Sequence, residues 1–186
     1  MRKIILASAS PRRQELLKDI VPDFEVVVSK VQEVVPKGVG IYDAPKFLAL
    51  LKARDVSKAY PDSIVIGSDT VVVVDDKVLN KPKDENDAFE MLRLLSGRKH
   101  KVITGCALVC GDKELSFCVS TEVEFYELTD KEILDYIATK DPLDKAGAYG
   151  IQSGGKTLVK AIYGDFYNVV GLPVGVLKRE LVKFMD

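Results

Sequence analysis

A single carboxylate interrupts the strongest strand signal of this 186-residue sequence. Asp69 stands within residues 64–73, where the other nine residues are apolar or small. Burying an unpaired carboxylate costs several kcal/mol, so such a group is normally paired or bound to a metal. We therefore interpret Asp69 as a metal ligand or as the general base that activates a water. The alternative is an acid at a strand end whose charge is satisfied by neighbouring N–H groups.

The first predicted strand occupies residues 3–7, and two serines and two arginines follow it in the sequence. Ser10 predicts the N-cap of a helix, and Pro11 suits its first position. The N–H groups and dipole at a helix N-terminus attract anions, and an arginine can grip paired oxygens. The basic side chains oppose the dipole, a conflict that a bound polyphosphate would resolve. Either Ser8, Ser10, Arg12 and Arg13 bind phosphates, or they form an ordinary capped helix with solvated arginines.

Residues 144–152, which include Lys145, are rich in small side chains that let the backbone approach a ligand closely. Tyr149 offers a stacking face, and Gln152 carries a donor and an acceptor on one amide. Lys81, in the sequence Asn80-Lys81-Pro82, could return to the same cleft as Asp69. The alternatives are a plain loop at residues 144–152 and a solvated lysine at position 81.

Residues 150–157 satisfy the P-loop pattern of Gly, four residues and Gly-Lys-Thr. A P-loop requires a buried strand before it and a helix after it. No strand-like run precedes these residues, and residues 158–165 resemble a strand that enters a turn. We therefore interpret the match as accidental, and keep a P-loop phosphotransferase centred on Lys156 as a rival hypothesis.

Composition limits the class of protein. Hydrophobic residues make up 47% and charged residues 30%, which is typical of a globular protein, and the net charge of −1 argues against a nucleic-acid-binding surface. The apolar run at residues 4–7 is too short for a signal peptide, and no stretch resembles a membrane span, so we expect a cytoplasmic protein. The three cysteines, of which at least one must be unpaired, are predicted to be buried and reduced. His100, the only histidine, is placed in a loop, and a His/Cys metal site or a Ser-His-Asp triad is disfavoured.

Predicted strands and helices alternate along the chain, with a hairpin-rich middle. This order predicts one α/β domain at residues 1–186, with a mixed sheet and two lobes that share a cleft. The predicted strands are residues 3–7, 24–28, 63–74, 101–110, 114–127 and 157–162. One predicted helix starts at Pro11, and the others occupy residues 44–59, 84–95, 130–137 and 174–184. Caps are predicted at Asp43 and Thr129, and the acidic run at residues 84–87 opens the third of these helices.

Six motifs occur in an order that resembles the Maf family (septum-formation-inhibitor-like nucleotide pyrophosphatases). The resemblance implies a mixed, twisted sheet flanked by helices, with two lobes around a cleft, as in inosine triphosphate pyrophosphatases. It also implies hydrolysis of nucleoside triphosphates between the α and β phosphates with Mg²⁺ or Mn²⁺, by a cytoplasmic homodimer. The motifs are residues 5–13, 67–72, 80–82, 95–98, 144–152 and 167–173.

The resemblance also assigns roles to single residues. Asp69 would be the general base and would bind the metal with Glu33. Arg12, Thr70 and Gln152 match the branch of the family that prefers dTTP and UTP, with modified pyrimidine nucleotides as further candidates. The absence of tryptophan argues against the branch that cleaves 7-methyl-GTP. The expected substrate-binding residues are Ser8, Ser10, Arg12, Arg13, Lys52, Thr70, Lys81, Lys145, Tyr149 and Gln152.

A second hypothesis has the chain sense nucleotides without cleaving them, as a regulator of cell division. The two hypotheses differ in whether Mg²⁺ and dTTP yield monophosphate. Under either hypothesis the ligand is a nucleotide, and neither a nucleic acid nor a membrane is an expected partner.

Overall fold

The computed structural model describes residues 2–186, which fold into seven β-strands and six α-helices. Three short 3₁₀ helices, Asp141–Asp144, Ala146–Ala148 and Gly154–Thr157, connect α4 to β7. The strands are β1 (Ile4–Leu6), β2 (Glu25–Val26), β3 (Ile64–Val74), β4 (Lys77–Leu79), β5 (Lys99–Cys110), β6 (Lys113–Phe125) and β7 (Val159–Tyr163). The helices are α1 (Pro11–Lys18), α2 (Ala44–Ser57), α3 (Glu85–Leu95), α4 (Asp130–Ala138), α5 (Phe166–Val170) and α6 (Val174–Met185).

The strands form one mixed sheet in the order β2-β1-β3-β5-β6-β7, and β4 pairs with β3. Strand β1 runs parallel to β2 and to β3, so Ile5 lies opposite Glu25 on one side and Val65 on the other. Strands β4 and β7 run antiparallel to β3 and β6. The predicted mixed α/β architecture is thereby confirmed.

The chain divides into two compact units. The first comprises the chain up to Thr70, together with Thr104–Val119 and Gly171–Asp186, and the second comprises Val71–Ile103 and Ser120–Val170. Strands β3, β5 and β6 contribute residues to both units, because each is long enough to cross the boundary.

Within the first unit, two glycines allow α2 to lie against the sheet. A Cβ atom on Gly67 of β3 would lie 2.0 Å from the Ala49 carbonyl oxygen, and one on Gly105 of β5 would lie 2.2 Å from the Pro45 carbonyl carbon. Only glycine permits such an approach between a strand and a helix backbone. The close packing buries Ala49 and Ala53 completely and brings the middle of α2 beside β3.

The second unit contains a buried aromatic cluster and firmly capped helices. The rings of His100, Phe125 and Tyr149 meet edge to face, with centroids 4.8 to 5.4 Å apart. Helix α4 begins with a capping box, in which Thr129 accepts a hydrogen bond from the Glu132 N–H and Glu132 accepts one from the Thr129 N–H.

Several local predictions need correction. His100 lies on β5 rather than in a loop. Side chains alternate between solvent and core at the start of this strand, so the two neighbouring residues face solvent and His100 is only 3% exposed. The strand predicted at residues 24–28 is only two residues long, since its partner β1 is itself short. Asp43 occupies the predicted N-cap position of α2, but its side chain makes no capping hydrogen bond; the carboxylate accepts a hydrogen bond from Lys46 instead. Helix α5 was not predicted.

The three cysteines are all reduced, and Cys106 and Cys110 are buried, as predicted, whereas Cys118 is half-buried. Burial raises the pKa of the Cys106 thiol to about 12, so this thiol is unreactive at neutral pH. Over residues 2–186, the helices are too short or too polar to span a bilayer.

Candidate active site

Two carboxylates converge on one ammonium group in the first unit. The Lys52 Nζ atom lies 2.8 Å from Asp69 Oδ1 and 2.9 Å from Glu33 Oε2. The Lys52 and Asp69 side chains are 12% and 14% exposed, whereas Glu33 is half in solvent. We call these three residues the Lys52 cluster. One positive charge therefore faces two negative charges in a mostly desolvated position.

Each member of the Lys52 cluster is placed by the local fold. Asp69 and Gly67 share a face of β3, because side chains alternate along a strand, and Gly67 admits the helix that carries Lys52. The segment before Glu33 is tied to the same helix, since Asp55 Oδ2 accepts hydrogen bonds from the Ser29 hydroxyl at 2.8 Å and from the backbone N–H of residue 30 at 3.0 Å. Helix α2 thus supports the whole cluster.

The electrostatics favour a proton-accepting Asp69. Burial raises the pKa of the Asp69 carboxyl above its ordinary value of 3.8, and the nearby charges of Lys52 and Arg13 offset that rise in part. The negative charge of Glu33 adds to the rise. A carboxylate whose pKa is shifted towards neutrality is a better general base than an exposed one.

Arg13 is surrounded by acceptors of the protein. Its Nε donates to the Gly171 carbonyl at 2.9 Å, its Nη1 to the Ser68 carbonyl at 3.0 Å and to Ser8 Oγ at 3.2 Å, and its Nη2 to Thr70 Oγ1 at 2.9 Å. Burial lowers the pKa of the Arg13 guanidinium, which nevertheless stays charged at any relevant pH. We call these contacts the Arg13 network.

The start of α1 has the predicted cap. Ser10 Oγ accepts a hydrogen bond from the Arg13 backbone N–H at 3.5 Å, and Pro11 occupies the first helical position. Ser8 is buried, and its hydroxyl also accepts from the Ser10 N–H at 3.3 Å. Arg12 is half-buried. In the first unit, Ser8, Ser10 and Thr70 therefore contact Arg13, and Glu33 and Asp69 contact Lys52.

The remaining predicted site residues, Lys81, Lys145, Tyr149 and Gln152, belong to the second unit. Lys81 and Gln152 are exposed. Tyr149 is only 6% exposed, its ring lies in the aromatic cluster, and its hydroxyl is 2.8 Å from His100 Nε2. Its face is therefore packed against protein side chains.

Lys145 bridges acids that the sequence analysis did not single out. Its Nζ donates to Asp141 Oδ1 at 3.0 Å, to the Asp141 carbonyl at 2.7 Å and to Asp144 Oδ1 at 2.7 Å. The hydroxyls of Tyr136 and Ser153 both donate to Asp141 Oδ2 at 2.6 Å. We call Lys145, Asp141 and Asp144 the Lys145 cluster. The two acids lie one and four residues from Lys145, so these neighbouring acids were the signal that could have found the cluster.

The P-loop hypothesis for residues 150–157 lacks its structural context. Gly154–Thr157 forms a 3₁₀ helix rather than the start of an α-helix, and β7 follows it. The segment before the motif is the 3₁₀ helix Ala146–Ala148, not a strand. Lys156 is exposed.

The Lys52 cluster fits a divalent cation that arrives with a nucleotide. Over residues 2–186, no group of three or more His, Cys, Asp or Glu side chains is placed to hold a metal alone. Mg²⁺ is commonly bound by one or two carboxylates, with substrate phosphates and water completing its coordination. Asp69 and Glu33 supply two carboxylates directed at a position that now holds the Lys52 ammonium.

Comparison with known families decides the membership of this chain. The family model described as Maf-like protein matches residues 3–184. The chain belongs to the Maf family. The resemblance carried by the six motifs is therefore confirmed.

Curated Maf relatives are similar over almost the full chain. A dTTP/UTP pyrophosphatase of Bacillus cytotoxicus is 53% identical over 188 residues, covering 99% of this chain and 96% of the relative. A dTTP/UTP pyrophosphatase of Bacillus cereus is 50% identical with the same coverage.

Solved structures with a similar fold are more distant in sequence. The Ham1 protein of Staphylococcus aureus is 16% identical, with a TM-score of 0.57 over 98% of this chain and 99% of that one. A HAM1 protein from Coxiella burnetii is 14% identical, with a TM-score of 0.52 over 98% of this chain and 100% of that one. At these identities the likeness supports the fold alone.

Proposed function

We propose that this Maf protein hydrolyses dTTP and UTP, and modified pyrimidine nucleotides of the same shape, to the monophosphate and pyrophosphate. The observation that carries the proposal is the Lys52 cluster, in which a desolvated carboxylate lies beside one ammonium and a second carboxylate. Full-length relatives named dTTP/UTP pyrophosphatase, at 50% and 53% identity, support the choice of substrate.

Asp69 accepts a proton from the attacking water. The water oxygen forms a bond to the α-phosphorus, the bond from that phosphorus to the bridging oxygen breaks, and pyrophosphate leaves with the electron pair. The products are a nucleoside monophosphate and pyrophosphate, and the proton passes from Asp69 to solvent. No covalent intermediate is required, which agrees with the unreactive buried thiol of Cys106.

A divalent cation held by Asp69 and Glu33 would polarise the phosphates and lower the pKa of a bound water. With a cation on the two carboxylates, the Lys52 ammonium would be available to pair with a phosphate. Its ammonium then offsets charge that develops on the leaving group. Burial strengthens each of these interactions, because water screens them less.

The other predicted residues complete the proposal. Ser8, Ser10, Arg12 and Lys81 bind the phosphates, aided by the N–H groups at the start of α1. Of the remaining residues, Thr70 and the exposed Gln152 bear on the nucleoside and its selectivity. Lys145 and Tyr149, which are engaged by protein partners, support the loop at residues 144–152 instead. The family resemblance also supports a cytoplasmic homodimer.

A panel of nucleoside triphosphates tests the proposal by direct measurement of pyrophosphate and monophosphate in the presence of Mg²⁺ or Mn²⁺. We expect dTTP and UTP to be cleaved fastest. An Asp69→Asn preparation excludes a contaminating enzyme, and Asp62→Asn, at an exposed acid outside the site, is its matched control. Binding of dTTP without release of pyrophosphate would instead favour the nucleotide-sensing hypothesis. Normal activity in Asp69→Asn would remove Asp69 from the mechanism.

A further inference from the structure

Arg13 contacts both residues adjacent to Asp69, the main chain of one and the side chain of the other. Its guanidinium donates to the carbonyl of residue 68 and to the hydroxyl of residue 70, the residues that immediately precede and follow the acid in β3. The same group donates to the carbonyl of Gly171, which also accepts a hydrogen bond from the Ser68 hydroxyl at 3.2 Å. Arg13 therefore connects β3 to the segment that precedes α6.

The hydrogen-bonding capacity of Arg13 is largely used inside the protein. An arginine side chain has five N–H donors, and four hydrogen bonds to Ser8, Ser68, Thr70 and Gly171 engage all three of its nitrogens. Gripping a phosphate with two parallel N–H groups would require breaking some of these bonds. Arg13 is poorly placed to act as a phosphate ligand.

The contacts act from the face of β3 opposite the carboxylate. Side chains alternate along a strand, so Ser68 and Thr70 project away from the face that carries Asp69 and approaches α2. Thr70 is held on that opposite face by a second contact, since its hydroxyl lies 2.9 Å from the buried Thr104 hydroxyl. The backbone at Asp69 is thus fixed independently of Lys52.

We infer that Arg13 is a positioning residue that holds β3 in the geometry required by Asp69, rather than a ligand of the substrate phosphates. The inference rests on the proposed role of Asp69 as proton acceptor and reassigns one residue within it. Removing a residue that positions a catalytic group lowers kcat. Removing a ligand that binds the ground state and the transition state equally raises KM instead.

The first test compares Arg13→Lys with Arg54→Lys. Lysine keeps the charge but cannot reach residues 68, 70 and 171 together, so kcat for dTTP should fall by about 10- to 100-fold while KM stays within about threefold. Arg54 is an exposed arginine of α2 paired with Glu114, and its replacement should leave both constants unchanged. A tenfold rise in KM with kcat intact would identify a phosphate ligand and overturn the inference.

A smaller change keeps the test valid if Arg13→Lys fails to fold. Thr70→Val removes one acceptor of the Arg13 network, and Thr70→Ser restores a hydroxyl. We expect the kcat lost in Thr70→Val to be recovered in Thr70→Ser, and the losses in Thr70→Val and Arg13→Lys to be less than additive when combined. Additive losses would mean that the two residues act separately, contrary to the inference.

A binding measurement separates this inference from the proposed function. Arg13→Lys should bind dTTP, followed by calorimetry without added metal, within about threefold of the wild-type affinity, because the inference places Arg13 among acceptors of the protein rather than on the phosphates. Arg54→Lys is the matched control and should bind dTTP as the wild type does. This readout needs no turnover, so it stands even if dTTP is not cleaved. Binding weakened by tenfold or more in Arg13→Lys alone would identify a phosphate ligand and overturn the inference.

Discussion

The Lys52 and Lys145 clusters each contain one lysine and two carboxylates, but the pKa of the less exposed carboxyl is shifted in opposite directions. In each, one lysine bridges two carboxylates, and the two lysine side chains are 12% and 10% exposed. The carboxyl of Asp69 has its pKa raised, because burial outweighs the attraction of Lys52 and Arg13. Burial also acts to raise the pKa of Asp141, but hydrogen bonds from Ser153, Tyr136 and Lys145 outweigh it and lower that pKa overall.

The difference lies in the number of donors. Asp141 accepts from two hydroxyls and an ammonium, and the three N–H groups of Lys145 match three acceptors. Among the residues from 2 to 186, the side-chain partner of Asp69 is Lys52 alone. A fully satisfied ion pair supports the fold, whereas an under-satisfied one keeps a carboxylate ready to accept a proton. Lys145, predicted to bind substrate, therefore has the surroundings of a structural residue.

The largest expected effect is a loss of activity in Lys52→Met. Removing this ammonium should lower kcat for dTTP by about 10³-fold, since it eliminates a preorganised charge near the leaving group. It should also shift the acidic side of the pH–rate profile to higher pH, because the charge of Lys52 lowers the pKa of Asp69 in the wild-type protein. Lys145→Met is the matched control and should lower kcat by less than about tenfold. Equal losses in the two variants would break the distinction between the clusters.

His100 extends the comparison to a buried group without a charged partner. Burial lowers its pKa from 6.5 to about 4. A lowered pKa gives stability that is complete above pH 6.5 and is lost as the pH falls towards 4, by about 3 kcal/mol at pH 4. Urea unfolding should show this loss in wild type and a flatter pH dependence in His100→Gln, which can still hydrogen-bond to Tyr149. The same pH dependence of the unfolding free energy in wild type and in His100→Gln would contradict the lowered pKa of His100.

The Lys145 cluster should contribute to stability where the Lys52 cluster does not. Asp141→Asn removes a charged acceptor of three donors and should lower the free energy of unfolding at pH 7 by about 2 kcal/mol. The lowered pKa of Asp141 means that its contribution is present above pH 3.8 and is lost as the pH falls through its folded value. Asp69→Asn should cost less than about 1 kcal/mol, because burial already disfavours that charge. The urea unfolding midpoints of Asp141→Asn and Asp69→Asn, each compared with wild type, test this difference in stability.

The smallest expected effect is at Lys156, which lies outside both clusters. Lys156→Ala should leave kcat and KM for dTTP within about twofold, because this exposed lysine lies in a 3₁₀ helix rather than in a P-loop. A loss as large as that in Lys52→Met would revive the phosphotransferase hypothesis.

Much of the fold was accessible from local patterns. The Ser10 cap with Pro11, the Thr129 cap of α4 and the long apolar run of β3 are patterns of neighbouring residues, and each element formed where predicted. The second hydrogen bond of the capping box, which Glu132 accepts from the Thr129 N–H, was not predicted. The predictions failed where contacts with residues elsewhere in the chain determine the local structure. The second strand is limited by the short β1, and His100 is buried by Phe125 and Tyr149, which lie far along the chain.

The sequence by itself determined that Asp69 is exceptional, because a lone acid within an apolar strand is costly wherever that strand packs. It also determined family membership, through six motifs in order. Only the tertiary structure decided the partners of each charge. The close approach of Gly67 to α2 places Lys52 beside Asp69. Asp55 accepts a hydrogen bond from Ser29, in the segment that leads to Glu33. Asp141 accepts hydrogen bonds from the hydroxyls of Tyr136 and Ser153. Sequence spacing places Asp141 and Asp144 near Lys145, but the carboxylates that pair with Lys52 lie 17 and 19 residues from it and meet it only in the fold. The burial that sets the pKa of Asp69 also arises only in the fold.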